Sequence, residues 1–130
     1  MFRETPINFL CVSWQETKVE RDGLASLFPV HKPGIYLYTT MDRKPMYVGR
    51  AEDLEKRFQE HLSDNEPNKE LLNFLRTQTA RLYYAIEEDE DFRSGMELFL
   101  FNYLCPWFND NTPSAKREIS VNLPDGVTSL

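Results

Sequence analysis

The chain has 130 residues, 41% of them hydrophobic and 13% aromatic, and a formal net charge of −6. That is enough apolar content for one domain with a core of its own plus a small extra segment. The acidic balance argues against a general nucleic-acid coat protein, which would be basic, and no run approaches the roughly 18–20 apolar residues of a membrane span.

Residues 1–30 give a mixed signal. Residues 7–14 suit either a strand or a short helix, Asp22 and Gly23 mark a turn, and residues 24–28 fit one helical turn packed on the main domain. The N-terminal stretch carries charges and Trp14 in or beside its short apolar patch. It lacks the basic start, apolar run and small-residue cleavage site of a secretory signal, so a cytoplasmic protein is expected. Cys11 and Cys105 stand apart, with no CxxC or Cys/His cluster. That speaks against structural zinc and, in a cytosolic chain, against a disulfide.

From Pro33 the pattern sharpens. Residues 35–40 are β-branched and aromatic, residues 41–45 form a polar turn, and residues 46–49 return. This predicts an antiparallel hairpin with Tyr36 and Tyr47 on neighbouring strands. Residues 52–62 predict a helix with Leu54, Phe58 and Leu62 as its buried stripe; Arg57 and His61, four apart, then share a different face. A second helix is expected over residues 69–77, capped near Asn68, with Leu71, Leu72 and Leu75 inward. Residues 81–86 read as a third strand. The acidic run 87–91 leads into a helix from Phe92 or Ser94 to Leu104, where acids suit the positive end of the dipole. That helix is apolar almost all round and is expected to be mostly buried, ending at Pro106. Residues 112–130 read as an irregular tail. The division is an N-terminal extension (1–32) packing on the core, a main domain (33–110) and a C-terminal tail (111–130).

The charge is unevenly spread: Glu87 to Asp91 holds five consecutive acids, while residues 31–86 are close to neutral and include Arg43, Lys44, Arg50, Lys56 and Arg57. The acidic total predicts weak nonspecific DNA affinity, since phosphate contacts dominate that quantity. It leaves room for a local basic cleft. Within this region Gly34-Ile35-Tyr36 and Tyr47-Val48-Gly49 precede, in order, Arg57, His61, Glu97 and Asn109. Each residue also has a plain structural reading. Tyrosines form cross-strand pairs in hairpins, although Gly34 and Gly49 permit close approach to a backbone or ligand. A helical arginine commonly faces solvent; a planar, always charged guanidinium also suits a pentavalent phosphate. A histidine can accept or relay a proton near neutral pH. Ser94-Gly95-Met96-Glu97 fits a capping box, which would make Glu97 structural. Alternatively Glu97 is a carboxylate for a divalent ion, since Mg²⁺ takes few protein oxygens when phosphate and water supply the rest. Asn109 suits either a turn or the support of a catalytic group.

As an ordered set, these residues resemble the GIY-YIG endonuclease family. The resemblance runs from Pro33 to Asn109 and includes the helix AEDLEKRFQEH and the closing Pro106-Trp107-Phe108-Asn109. It is similar to the N-terminal nuclease domain of bacterial excision-repair incision enzymes. It implies an α+β fold, a small three-stranded antiparallel sheet flanked by helices. It also implies metal-dependent hydrolysis of DNA phosphodiester bonds in repair, restriction or mobile-element maintenance, giving a 5′-phosphate and a 3′-hydroxyl. Glu97 would hold one Mg²⁺ or Mn²⁺, Tyr36 would act as base or help activate water, and His61 would assist that transfer. Arg57 would stabilise transition-state charge, Tyr47 would position phosphate or water, and Asn109 would support the site. Lys44, Arg50 and Lys56 are the expected nucleic-acid contacts. The expected partners are DNA and a recruiting protein, with no membrane. Oligomeric state is left open. The rival reading is a non-catalytic DNA-binding or protein-interaction domain on the same fold.

Overall fold

A computed structural model describes residues 9–20 and 31–128. Along the chain the elements are β1 (Phe9–Leu10), β2 (Gln15–Val19), β3 (Gly34–Thr39), β4 (Pro45–Ala51), α1 (Leu54–His61), α2 (Lys69–Thr77), β5 (Ala80–Ile86), α3 (Glu90–Leu104) and β6 (Ser120–Val121). The expected turn at residues 22–23 and the helical turn at residues 24–28 lie outside the described residues.

The hairpin forms where the sequence places it, with Tyr36 opposite Gly49 and Tyr38 opposite Tyr47. The sheet is α+β and antiparallel as expected, but it has four strands, not three, in the order β2-β5-β3-β4. The added strand is β2, Gln-Glu-Thr-Lys-Val, which pairs from Gln15↔Tyr84 to Val19↔Ala80. Only Val19 of this edge strand is buried, so it carries almost no apolar alternation to read.

All six residues of β3 are buried. The two-residue period of a strand divides them between two layers. Tyr36 and Tyr38 pack with Leu54, Phe58, Leu71, Phe74 and Leu75 beneath α1 and α2. Ile35 and Leu37 pack with Val48, Tyr83, Met96, Leu100 and Leu104 beneath α3. Both short helices start at side-chain caps, Asp53 accepting from the Lys56 N–H and Asn68 from the Leu71 N–H. In α2 the inward residues are Leu71, Leu72 and Leu75 as expected, joined by Phe74.

Three local expectations are corrected. In α1 the buried stripe is Leu54, Phe58 and His61. Leu62, the C-cap, stays partly buried against the same core, so His61 joins the stripe one turn after Phe58; it is buried where Arg57 is exposed, although both border one cleft. α3 begins at Glu90 behind an Asp89 cap that accepts from the Phe92 N–H. Ser94 is therefore interior to the helix, its hydroxyl donating to the Glu90 carbonyl at 2.9 Å, and no Ser94–Glu97 capping box exists. Nor is α3 buried all round, since Tyr103 is 54% exposed. Finally, the tail is not irregular throughout. β6 pairs in parallel with β1, and Ile119, Val121 and Val127 enter the core beneath α3. Ile119, Val121 and Leu123 alternate with polar residues and pack on that core, a short two-residue period within a stretch otherwise rich in turn and polar residues. Asn122 locks the two ends together, exchanging two hydrogen bonds with the Val12 backbone while its carbonyl accepts from the Trp14 indole.

Cys11 and Cys105 are free and exposed. Among the described residues no helix is long and apolar enough to cross a membrane.

Candidate active site

The start of β3 and the end of β4 open onto a cleft of about 1150 Å³ lined by Tyr36, Tyr47, Arg50, Lys56, Arg57, His61, Glu97 and Asn109. Every expected site residue except Lys44 is thus gathered in one place. Lys44 lies in the hairpin turn beside Asp42, outside the cleft lining.

Tyr36 is the innermost group, 1% exposed. Its ring is wedged edge-on against Phe58 and Tyr38, at centroid distances of 5.3 and 5.9 Å. It also crosses directly over Gly49: a Cβ at that position would stand 2.5 Å from both Cζ and the phenol oxygen. The glycine of Tyr47-Val48-Gly49 is therefore space for the tyrosine of Gly34-Ile35-Tyr36. Gly34 has a similar origin, since a Cβ there would collide with the Ala85 carbonyl oxygen. The Tyr36 hydroxyl reaches His61 Nε2 at 2.5 Å. His61 Nδ1 in turn reaches Glu66 Oε1 at 2.7 Å, and Glu66 Oε2 accepts from the Asn68 N–H at 2.8 Å. Glu66 lies in the α1–α2 turn, and its five-residue offset from His61 matches no helix or strand period. Nothing in the linear pattern singles it out.

Burial raises the phenols. Tyr36 is pushed well above the ordinary tyrosine value, first by desolvation and then by Tyr47. Tyr47 is pushed up to about 12, by desolvation first and then by the Glu97 carboxylate. The positive charge of Arg57, which lines the same cleft, opposes the rise on Tyr36, Tyr47 and Glu97 alike. Arg57 itself is half exposed, with Glu60 at 3.4 Å.

Glu97 enters from α3, on the far face of the sheet from His61. Burial raises its carboxyl above the usual range, and the pull of Arg50 does not cancel that rise. Arg50 Nη1 contacts Glu97 Oε1 at 2.7 Å and the Ser114 carbonyl at 3.4 Å. The residue expected to touch nucleic acid is thus held within the cleft. Among the described residues no group of three or more His, Cys, Asp or Glu could cage a metal alone. One carboxylate beside phenols fits a hard divalent ion that takes its other ligands from water and phosphate.

Asn109 acts on the backbone. Its amide accepts from the Val48 N–H and donates to the Val48 carbonyl, both at 2.9 Å. The Phe108 N–H bonds the Met46 carbonyl at 2.7 Å. Residues 107–109 therefore strap the outer edge of β4, and Asn68 ties the strap to α2 by donating to the Phe108 carbonyl at 2.7 Å.

The family model of the UvrC-like GIY-YIG domain matches residues 32–109. The chain is similar to UvrABC system protein C of Mycoplasma genitalium, 33% identical over 78 residues that cover 60% of this chain and 13% of that protein. It is 24% identical over 105 residues to the protein of the same name from Geotalea daltonii, covering 81% of this chain and 17% of that one. The match to the Bartonella henselae protein of that name is 29% over 79 residues, covering 61% and 12%. The chain spans less than a fifth of the length of each of these relatives. No solved structure matches it significantly.

Proposed function

The chain belongs to the UvrC-like GIY-YIG domain family, and from that premise we propose that it is a metal-dependent endonuclease hydrolysing DNA phosphodiester bonds. The observation that carries this reading is the convergence of Tyr36, Tyr47, Arg57, His61 and Glu97 on one cleft from both faces of the sheet.

Tyr36 would take a proton from the attacking water while passing its own to His61, since a buried phenol is a poor free base. Tyr47 would hold the water or a phosphate oxygen, and the β4 edge that carries it is fixed by Asn109. Arg57, charged at any working pH, would meet the negative charge that grows on the phosphorus oxygens. Arg50 and Lys56 would contact flanking phosphates. Glu97 would hold Mg²⁺ or Mn²⁺, which when bound supplies positive charge to the scissile phosphate and the leaving oxygen. The water oxygen bonds to phosphorus, the P–O3′ bond breaks, and the O3′ oxygen takes a proton from solvent, giving a 5′-phosphate and a 3′-hydroxyl.

Acidic residues also line the cleft, among them Glu52, Asp53, Glu60 and Asp110. They weaken electrostatic capture of DNA. We therefore also propose that the substrate is recognised by its shape or delivered by a recruiting protein.

The test is nicking of supercoiled plasmid and of a branched duplex with Mg²⁺, Mn²⁺ or EDTA. Metal-dependent nicking by the wild type, lost in Glu97→Gln at unchanged melting temperature, is the expected outcome. Folded wild-type protein that cuts neither substrate with either metal would defeat the nuclease reading and leave a binding domain.

A further inference from the structure

The Tyr36–His61 contact has a third member that the mechanism above does not use. Glu66 is 8% exposed and His61 3% by side chain, so water does not compete freely for their hydrogen bond. Both carboxylate oxygens are engaged as acceptors: Oε1 at His61 Nδ1, 2.7 Å away, and Oε2 at the Asn68 backbone N–H, 2.8 Å away. The hydrogen bond from His61 holds the Glu66 carboxyl below its ordinary value, consistent with an ionised, acceptor-only group. An acceptor at Nδ1 requires the proton to sit on Nδ1. In a neutral imidazole that leaves Nε2 as the acceptor.

We propose that Glu66 is a positioning residue that fixes His61 in the Nδ1–H tautomer, so that Nε2 is bare and aimed at the Tyr36 hydroxyl. The catalytic half of this inference rests on the nuclease reading; the tautomer does not. In the reaction a water proton moves to the Tyr36 oxygen as the Tyr36 proton moves to His61 Nε2. The phenol is neutral before and after, and the imidazole becomes an imidazolium whose charge faces the Glu66 carboxylate. Release of the Nε2 proton to solvent restores the site. The arrangement is rigid because Glu66 is anchored where α2 begins: Asn68, which donates to Glu66, also caps α2 at the Leu71 N–H and holds the Phe108 carbonyl.

Glu66→Gln tests this sharply. The Asn68 N–H can only donate, so the carbonyl oxygen of the substituted amide must face it. The amide NH₂ then faces His61 Nδ1 and converts it to an acceptor. The substitution preserves shape and reverses the tautomer, leaving Nε2–H pointing at Tyr36. The experiment is ¹⁵N NMR of histidine-labelled protein at a pH where imidazole is neutral. The chain has two histidines, and a His31→Gln variant assigns the signals. Wild type is expected to show a protonated Nδ1 and a bare Nε2 at His61, and Glu66→Gln the reverse. Turnover in plasmid nicking is expected to fall about 100-fold or more, the usual range for losing a proton acceptor, with DNA affinity unchanged. A wild-type His61 that carries its proton on Nε2, or on both nitrogens, overturns the proposal whether or not the variant folds. So does a folded Glu66→Gln that reverses the tautomer yet keeps wild-type turnover. If wild type does not cut DNA, the nuclease reading fails and the tautomer result still stands or falls alone.

Discussion

Gly49→Ala is the most economical test of how the two tyrosine motifs fit together. The added methyl would lie 2.5 Å from Cζ and the oxygen of Tyr36, against ordinary contact distances of about 3.5–4.0 Å. The ring must therefore move by about 1 Å. It has little room, being 1% exposed, wedged by Phe58 and Tyr38 and tied to His61 at 2.5 Å. Forcing an extra methyl into such a site costs about 1–3 kcal/mol. For a chain of this size that is a fall in melting temperature of about 3–12 °C. Under the proposed function, a displacement of that size at Tyr36 should also slow turnover by about 100-fold. Urea denaturation and plasmid nicking measure the two effects. A double-mutant cycle identifies their cause: Tyr36→Leu alone opens a cavity, but in the Gly49→Ala background it also relieves the clash. The two changes should therefore be less than additive, with a coupling of about 1 kcal/mol or more. A Gly49→Ala protein within about 0.5 kcal/mol of wild type, or strictly additive behaviour, would refute the packing of Tyr36 over Gly49.

Asn109→Ala should cost about 1–3 kcal/mol in urea denaturation, because the N–H and carbonyl of buried Val48 lose their partners. Asn109→Asp should be worse at neutral pH, with one carboxylate oxygen facing the Val48 carbonyl, and should recover as pH falls and that oxygen is protonated. Arg57→Ala should reduce turnover far more than DNA affinity. Its melting temperature should barely change, because the exposed pair with Glu60 at 3.4 Å is worth little. The stabilisation from Glu66 should follow pH in one direction. Its carboxyl is held below its ordinary value of 4.5, chiefly by His61, so the folded state binds fewer protons than the unfolded chain. The gain is complete above the unfolded value and is lost as pH falls through the folded one. Chemical denaturation of wild type and Glu66→Gln should accordingly differ at neutral pH and converge at strongly acid pH.

Those parts of the protein whose logic is local could be read from the sequence. The hairpin followed from β-branched and aromatic residues about a polar turn. α2 followed from its Asn68 cap and inward leucines. The ordered tyrosines, Arg57, His61 and Glu97 announced a site because each motif sits within one element. β2 was hidden because an edge strand buries one residue in five, whereas β6 left a trace in the alternation of Ile119, Val121 and Leu123 that is too short to stand out from its polar, proline-flanked surroundings. Only tertiary structure could decide what each site residue touches. His61 joined the α1 stripe by packing on the Tyr36 ring, with Leu62 partly buried beside it. Glu97 was released from capping by a helix that begins earlier, and was given to Arg50 across the sheet edge. Glu66 became a partner of His61 through a turn whose shape depends on how α1 and α2 pack. Residue order records which groups are available, whereas the direction of a proton depends on distances of a few ångströms between segments that only the folded core brings together.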